Sequence, residues 1–178
     1  PKRLVGADGT PGAANDLACA GVEHKLGIHG SPTCTMIYGD RGEGAVGYLI
    51  GEENRGLACM FTMMNNARLM VGIQGVAVAE AAFQHAAAYA AERRQGRAPG
   101  WTGEGMSPIA LHPDVRRMLL TQKALTAAAR ALCYACAFAI DMSHAAAGEE
   151  AARWHERASL ITPLAKAYGS DVGVETAS

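Results

Sequence analysis

Aromatic side chains make up only 6 % of the 178 residues, three Phe, two Trp and five Tyr, against an apolar share of 49 %. A core built on rings is thereby excluded. Alanine, the best helix former, is abundant instead and leans the composition towards a helical bundle. Excess charge is also missing: 16 basic and 17 acidic residues leave a net charge of −1. That argues against a general nucleic-acid or polyanion binder. No apolar run of bilayer-spanning length is free of charge, since the nearest, Ala124 to Ile140, contains Arg130. No charged-then-apolar leader opens the chain, so a soluble protein with no membrane contact is expected. A disulfide framework is lacking too. Five scattered cysteines are an odd set that points to a reducing cytoplasm. The chain begins without Met and ends without a stop signal behind its last helical pattern, so it is expected to be part of a longer protein.

What is present divides at about residue 56. Residues 1–56 hold most of the glycine and little helical pattern. Leu17 to Val22, Thr33 to Tyr38 and Val46 to Ile50 are short apolar pieces between Gly, Pro, Asn and Asp, the punctuation of short antiparallel strands. Residues 57–178 predict three long helices, about 57–94, 113–144 and 149–177, the last with Pro163 inside it. The predicted fold is mainly α with an N-terminal β portion: strands of an antiparallel domain, then three helices of an up-and-down four-helix bundle.

In the first helix, Phe61, Met64, Arg68, Val71, Gly75, Val78, Ala82, His85 and Tyr89 recur at three- and four-residue steps and predict one buried face. Arg68 within that face cannot lose its proton. It therefore points to an anion, either a structural carboxylate or a ligand. Expected core positions are Val115, Met118, Leu119, Gln122, Leu125, Ala129, Leu132, Cys136 and Ile140 in the second helix. In the third they are Leu160, Leu164, Ala167, Tyr168 and Val172. The Cys133–Cys136 pair lies in a helix interior, with no second ligand pair at zinc spacing, and reads as packing. His24 and His29 lack carboxylate or thiol partners and read as turn residues, and no metal site is expected.

The wording of residues 60–97, MFTMMNNARLMVGIQGVAVAEAAFQHAAAYAAERRQGR, closely resembles the first long helix of the C-terminal domain of the acyl-CoA dehydrogenases. It is most similar to the branch acting on 3-methylthiopropanoyl-CoA. GIHGSPTCTM and GYLIGEENRGLACMF resemble the end of that family's middle β domain, and HPDVRRMLLTQKALTAAARAL resembles its next helix. The resemblance implies a β-domain portion over 1–56 and an incomplete helical domain over 57–178. It implies FAD as cofactor, an acyl-CoA substrate, a homodimer or homotetramer, and an electron-transfer flavoprotein as electron acceptor.

It also assigns roles residue by residue. Arg68 matches an arginine beside the thioester. Asn65 stands where many members have an acid that touches CoA, and reads equally as a surface amide. Arg93 and Gln95 match positions that reach FAD across a dimer interface, where a solvated basic helix end is the other reading. Gly96 replaces an aromatic carried by many members. Ser31 and Thr33 lie near the flavin in the family but read better as turn residues. Some members carry their catalytic glutamate where this chain has Ala67, which cannot remove a proton. No catalytic residue is expected within the chain, and the base is expected beyond Ser178. Two other readings stay open: a non-catalytic helical oligomerisation module and a DNA-associated flavoprotein relative.

Overall fold

Short apolar runs cut by Gly, Asp and Asn can pair only as hairpins, and two hairpins form the first of two units, Pro1–Gly56. The computed structural model describes residues 1–42 and 44–178. Strands β1 (Arg3–Val5) and β2 (Pro11–Ala14) pair antiparallel, as do β3 (Leu17–Val22) and β4 (Cys34–Tyr38). The β1–β2 turn closes with Gly6 N–H on Thr10 O at 2.9 Å, and Gly9 supplies a φ of 81°. Leu17–Val22 coincides with the predicted strand. The predicted strand Val46 to Ile50 does not form. Its place is taken by a side chain: Asn15, 7 % exposed, accepts from Val46 N–H at 3.0 Å and donates to Val46 O at 2.9 Å. One amide thus satisfies both backbone groups of Val46, and Leu49 and Ile50 stay exposed. Ser31 is a turn residue, donating its N–H to Ile28 O at 3.1 Å.

The second unit, Leu57–Ser178, is built by α1 (Gly56–Glu92), α2 (Pro113–Ala145) and α3 (Gly148–Ala177). Pro113 occupies the first turn of α2, where its missing N–H costs nothing. α3 continues through Pro163, which lies on the exposed side. The core comprises Val76 and Ala79 from α1, Ala129, Cys133 and Cys136 from α2, and Ala165 and Val172 from α3. Both cysteines of the C-x-x-C are fully buried, and Cys136 Sγ lies 3.4 Å from Thr162 Oγ1. Packing, not redox chemistry, is their role.

Small residues at the core bring the helices close. α1 and α3 meet backbone to backbone at Gly72, Gly75, Gly169 and Gly173. A Cβ on Gly75 would stand 2.0 Å from Gly169 O, and one on Gly169 would stand 2.7 Å from Gly72 O. This seam corrects the expected face of α1. The buried positions are Gly72, Gly75, Val76, Ala79 and Ala90. The stripe is rotated from the expected one by about 80°, a little less than one residue step. Of the expected face only Gly75 is buried, while Val78, Tyr89 and Phe61 are exposed. α3 is corrected likewise. Val172 is buried, but Leu160, Leu164, Ala167 and Tyr168 face outward, and Ala158, Thr162, Ala165, Gly169, Gly173 and Thr176 fill the contact. In α2 the expected stripe is right in phase, with Ala129 and Cys136 buried.

By length and composition α2 is apolar enough to cross a bilayer, although Arg130 interrupts its apolar run. Its buried side nevertheless forms the centre of the helical core. Its interrupting Arg130 donates to Glu80 of α1 at 2.6 Å. Hydrogen bonding from Gln84, then Arg130, holds the Glu80 carboxyl below its ordinary value of 4.5. A carboxyl depressed by folding contributes stability that is present above its unfolded pKa and lost as pH falls through the folded one. Thermal midpoints of wild type and Glu80→Ala are therefore expected to converge as pH drops below about 4.5 and to separate above it. An equal gap at all pH values would contradict this.

Candidate functional site

Two groups of polar residues sit on or beside α1, near opposite ends. The first is at its N-terminal third. Arg68 Nη1 donates to Asn65 Oδ1 at 3.2 Å, and its guanidinium lies 5.3 Å from the centre of the Phe61 ring. Residues three and four apart on a helix share a face, which is why these side chains meet. Among the described residues Arg68 has no carboxylate partner. The arginine that pairs with a carboxylate between helices is Arg130, on Glu80. Most of the Arg68 donor fork has no partner among the described residues.

Beside Asn65 a cleft of about 650 Å³ opens between the first turns of α1, the end of α2 and the start of α3. Phe61, Asn65 and Asn66 line it with Asp141, His144, His155 and Ser159. The last four were missed in the sequence. The signal available was the short α2–α3 connection, which folds His144 and His155 back towards each other as an αα-hairpin.

The second group follows the end of α1. The helix stops at Glu92 and not at Arg94, with Arg93 N–H on Tyr89 O at 2.8 Å. Arg93 thus stands directly after the last helical residue, and Arg94 and Arg97 lie in the loop beyond it. That loop is clamped to residues 105–109. Gln95 N–H donates to Ser107 O at 3.1 Å, Ser107 N–H to Gly96 O at 2.9 Å and Ile109 N–H to Arg93 O at 2.8 Å. The fully buried Ser107 hydroxyl accepts from Ala98 N–H at 2.9 Å, and His112 Nε2 lies 2.8 Å from Gln95 O. Gly96 takes a φ of 61°, with His112 beneath it. Two of the three arginines are occupied internally: Arg94 on Met106 O at 3.2 Å and Arg97 on Gly103 O at 3.1 Å. The side chains of Arg93 and Gln95 have no partner among the described residues and are exposed. A guanidinium fork left free on a fixed backbone suits phosphate oxygens, and an exposed amide suits polar ring edges.

The two groups do not form one site. Some 25 residues of mostly helical chain separate Arg68 from Arg93, about 37 Å along the axis. His24 and His29 stand with ring centres 6.4 Å apart, and no metal-binding group occurs among the described residues.

The helical unit built on this long glycine-packed helix belongs to a known class. Residues 54–178 match the family model described as acyl-CoA dehydrogenase, C-terminal domain, and the chain belongs to that family. Over its full length it is 45 % identical to the 3-methylmercaptopropionyl-CoA dehydrogenase of Ruegeria pomeroyi, covering 30 % of that protein. It is 42 % identical to a butyryl-CoA dehydrogenase of Syntrophomonas wolfei over 97 % of the chain and 29 % of the relative. The chain thus spans under a third of the length of these relatives. Among solved structures, Caenorhabditis elegans ACDH-11 in complex with C11-CoA matches 98 % of the chain and 30 % of its own, with TM-score 0.70 at 21 % identity. At that identity the likeness is one of fold.

Proposed function

We propose that this chain supplies part of the acyl-CoA site and the cofactor-contacting loop of an FAD-dependent acyl-CoA dehydrogenase that converts an acyl-CoA thioester into its trans-2-enoyl-CoA. The observation that carries the reading is the loop after α1, which fixes its backbone, occupies Arg94 and Arg97, and leaves Arg93 and Gln95 free. Arg93 fits the FAD pyrophosphate and Gln95 its adenine side. When bound, FAD supplies the acceptor for the hydride leaving the β-carbon. Asn65 and Arg68 line the acyl-CoA side, where fixed donors favour the charge that develops on the thioester. Ala67 has no proton acceptor, so the general base is proposed to come from outside residues 1–178. The separation of Arg68 from Arg93 favours a homodimer or homotetramer in which the loop of one subunit serves its neighbour. An electron-transfer flavoprotein and a cytoplasmic setting complete the proposal. The DNA-associated reading gains no support: Arg117, Arg130 and Arg153 pair with carboxylates, and Arg94 and Arg97 with carbonyls.

The test is the visible spectrum of the purified chain after FAD is added and unbound flavin removed. Retained, structured flavin bands are expected, with Arg93→Ala weakening the affinity roughly 10- to 100-fold, the worth of one charge-assisted phosphate contact. A chain that takes up no flavin, or an alanine variant that binds equally well, would leave the helical assembly module as the better description.

A further inference from the structure

His112 stands at the N-cap of α2, yet its side chain makes no capping bond to that helix. Pro113 follows it, and a residue before proline is pushed out of helical backbone into extended conformation. His112 accordingly takes φ −70° and ψ 133°. Its half-buried ring crosses to the loop after α1, where Nε2 lies 2.8 Å from Gln95 O, seventeen residues away along the chain. A carbonyl oxygen can only accept, so Nε2 carries the hydrogen and donates it. The Ser107 hydroxyl lies 3.4 Å from the same nitrogen, and a Cβ on Gly96 would stand 3.5 Å from ring Cε1. The short turn before His112 holds the other side of the loop. Ile109 N–H donates to Arg93 O at 2.8 Å, and His112 N–H donates to Ile109 O at 3.0 Å. One turn thus grips the carbonyls of residues 93 and 95, the two whose side chains stay free.

We propose that His112 is a positioning residue for the cofactor contact. Its imidazole fixes the Gln95 backbone, and through it the direction in which Arg93 and Gln95 present their side chains to FAD. The role rests on the reading of that loop as the FAD contact, and His112 acts through Gln95 without touching the cofactor.

Wild type, His112→Asn and His112→Gln are compared in FAD affinity, thermal midpoint and hydrogen exchange of the Gln95 and Ala98 amides, whose acceptors are both on Ser107. Asparagine is a preferred N-cap but is too short to reach Gln95 O. The midpoint is therefore expected to hold, while exchange at both amides quickens and FAD affinity falls roughly 3- to 10-fold, the worth of one hydrogen bond. Glutamine carries an amide N–H about as far from the backbone as Nε2, and is expected to restore both. FAD binding equal in wild type and His112→Asn overturns the role alone. So does a glutamine variant as loose as asparagine, or a midpoint that falls in step with affinity. A wild-type chain that takes up no FAD overturns the cofactor reading and this role together.

Discussion

Gly75→Leu is expected to abolish cooperative folding of the helical unit, and Gly75→Ala to lower its thermal midpoint by roughly 10 °C. The sign of the alanine result is what makes it informative. In an ordinary helix interior, exchanging Gly for Ala stabilises by about 0.5–1 kcal/mol. Here a Cβ at Gly75 would meet Gly169 O at 2.0 Å and the Gly169 carbonyl carbon at 2.5 Å. Both are backbone atoms of α3 and cannot rotate aside, so α1 and α3 must part. Parting opens the contact that buries Val76, Ala79, Ala165 and Val172. The seam is reciprocal: a Cβ on Gly173 would stand 2.8 Å from Gly75 Cα. Overpacking of this kind costs about 1–3 kcal/mol, enough to outweigh the gain in propensity. Far-ultraviolet circular dichroism during heating gives the midpoint, with the exposed Ala81→Gly as reference for propensity alone. A Gly75→Ala variant as stable as wild type would mean that the helices do not approach this closely.

Ser107→Ala is expected to loosen the loop that presents Arg93 without altering Arg93 itself. Alanine removes the hydroxyl without adding volume, so the buried Ala98 N–H loses its acceptor. A stranded buried donor costs about 1–3 kcal/mol. The cost is local, because the same segment clamps Gln95 and Gly96 through the Ser107 backbone. Arg94 and Arg97, now tied to carbonyls of residues 106 and 103, would swing free more often. Trypsin should then cut after them roughly tenfold faster. FAD affinity, where measurable, should fall although no flavin-contacting side chain has been removed. Unchanged tryptic cleavage would show that the clamp does not depend on the Ser107 hydroxyl.

Much of the helical unit was legible in the residues. Pro113, Gly148 and the long alanine-rich periods set the three helices to within two residues of their observed ends. Cys133 and Cys136 were readable as packing because a helix interior cannot offer the electropositive setting of a redox pair. The wording around Arg68 and Arg93 carried the family. Much of the β portion was not legible, since Arg3–Val5 and Pro11–Ala14 are too short to stand out. Val46 mimics a strand in composition but bonds to the Asn15 side chain.

The sequence by itself determined the helices, the strands β3 and β4, and the family. Only the tertiary structure decided which face of α1 turns inward. α1 is apolar nearly all round, so hydrophobic periodicity alone could not choose a face. The choice fell to Gly72 and Gly75, whose missing side chains let α3 approach, while the larger Val78 and Tyr89 were left outside. The tertiary structure likewise decided that Arg93 is the available cation in its cluster. Three arginines within five residues are equivalent in sequence, and they differ only because the returning loop at 103–108 offers carbonyls to Arg94 and Arg97.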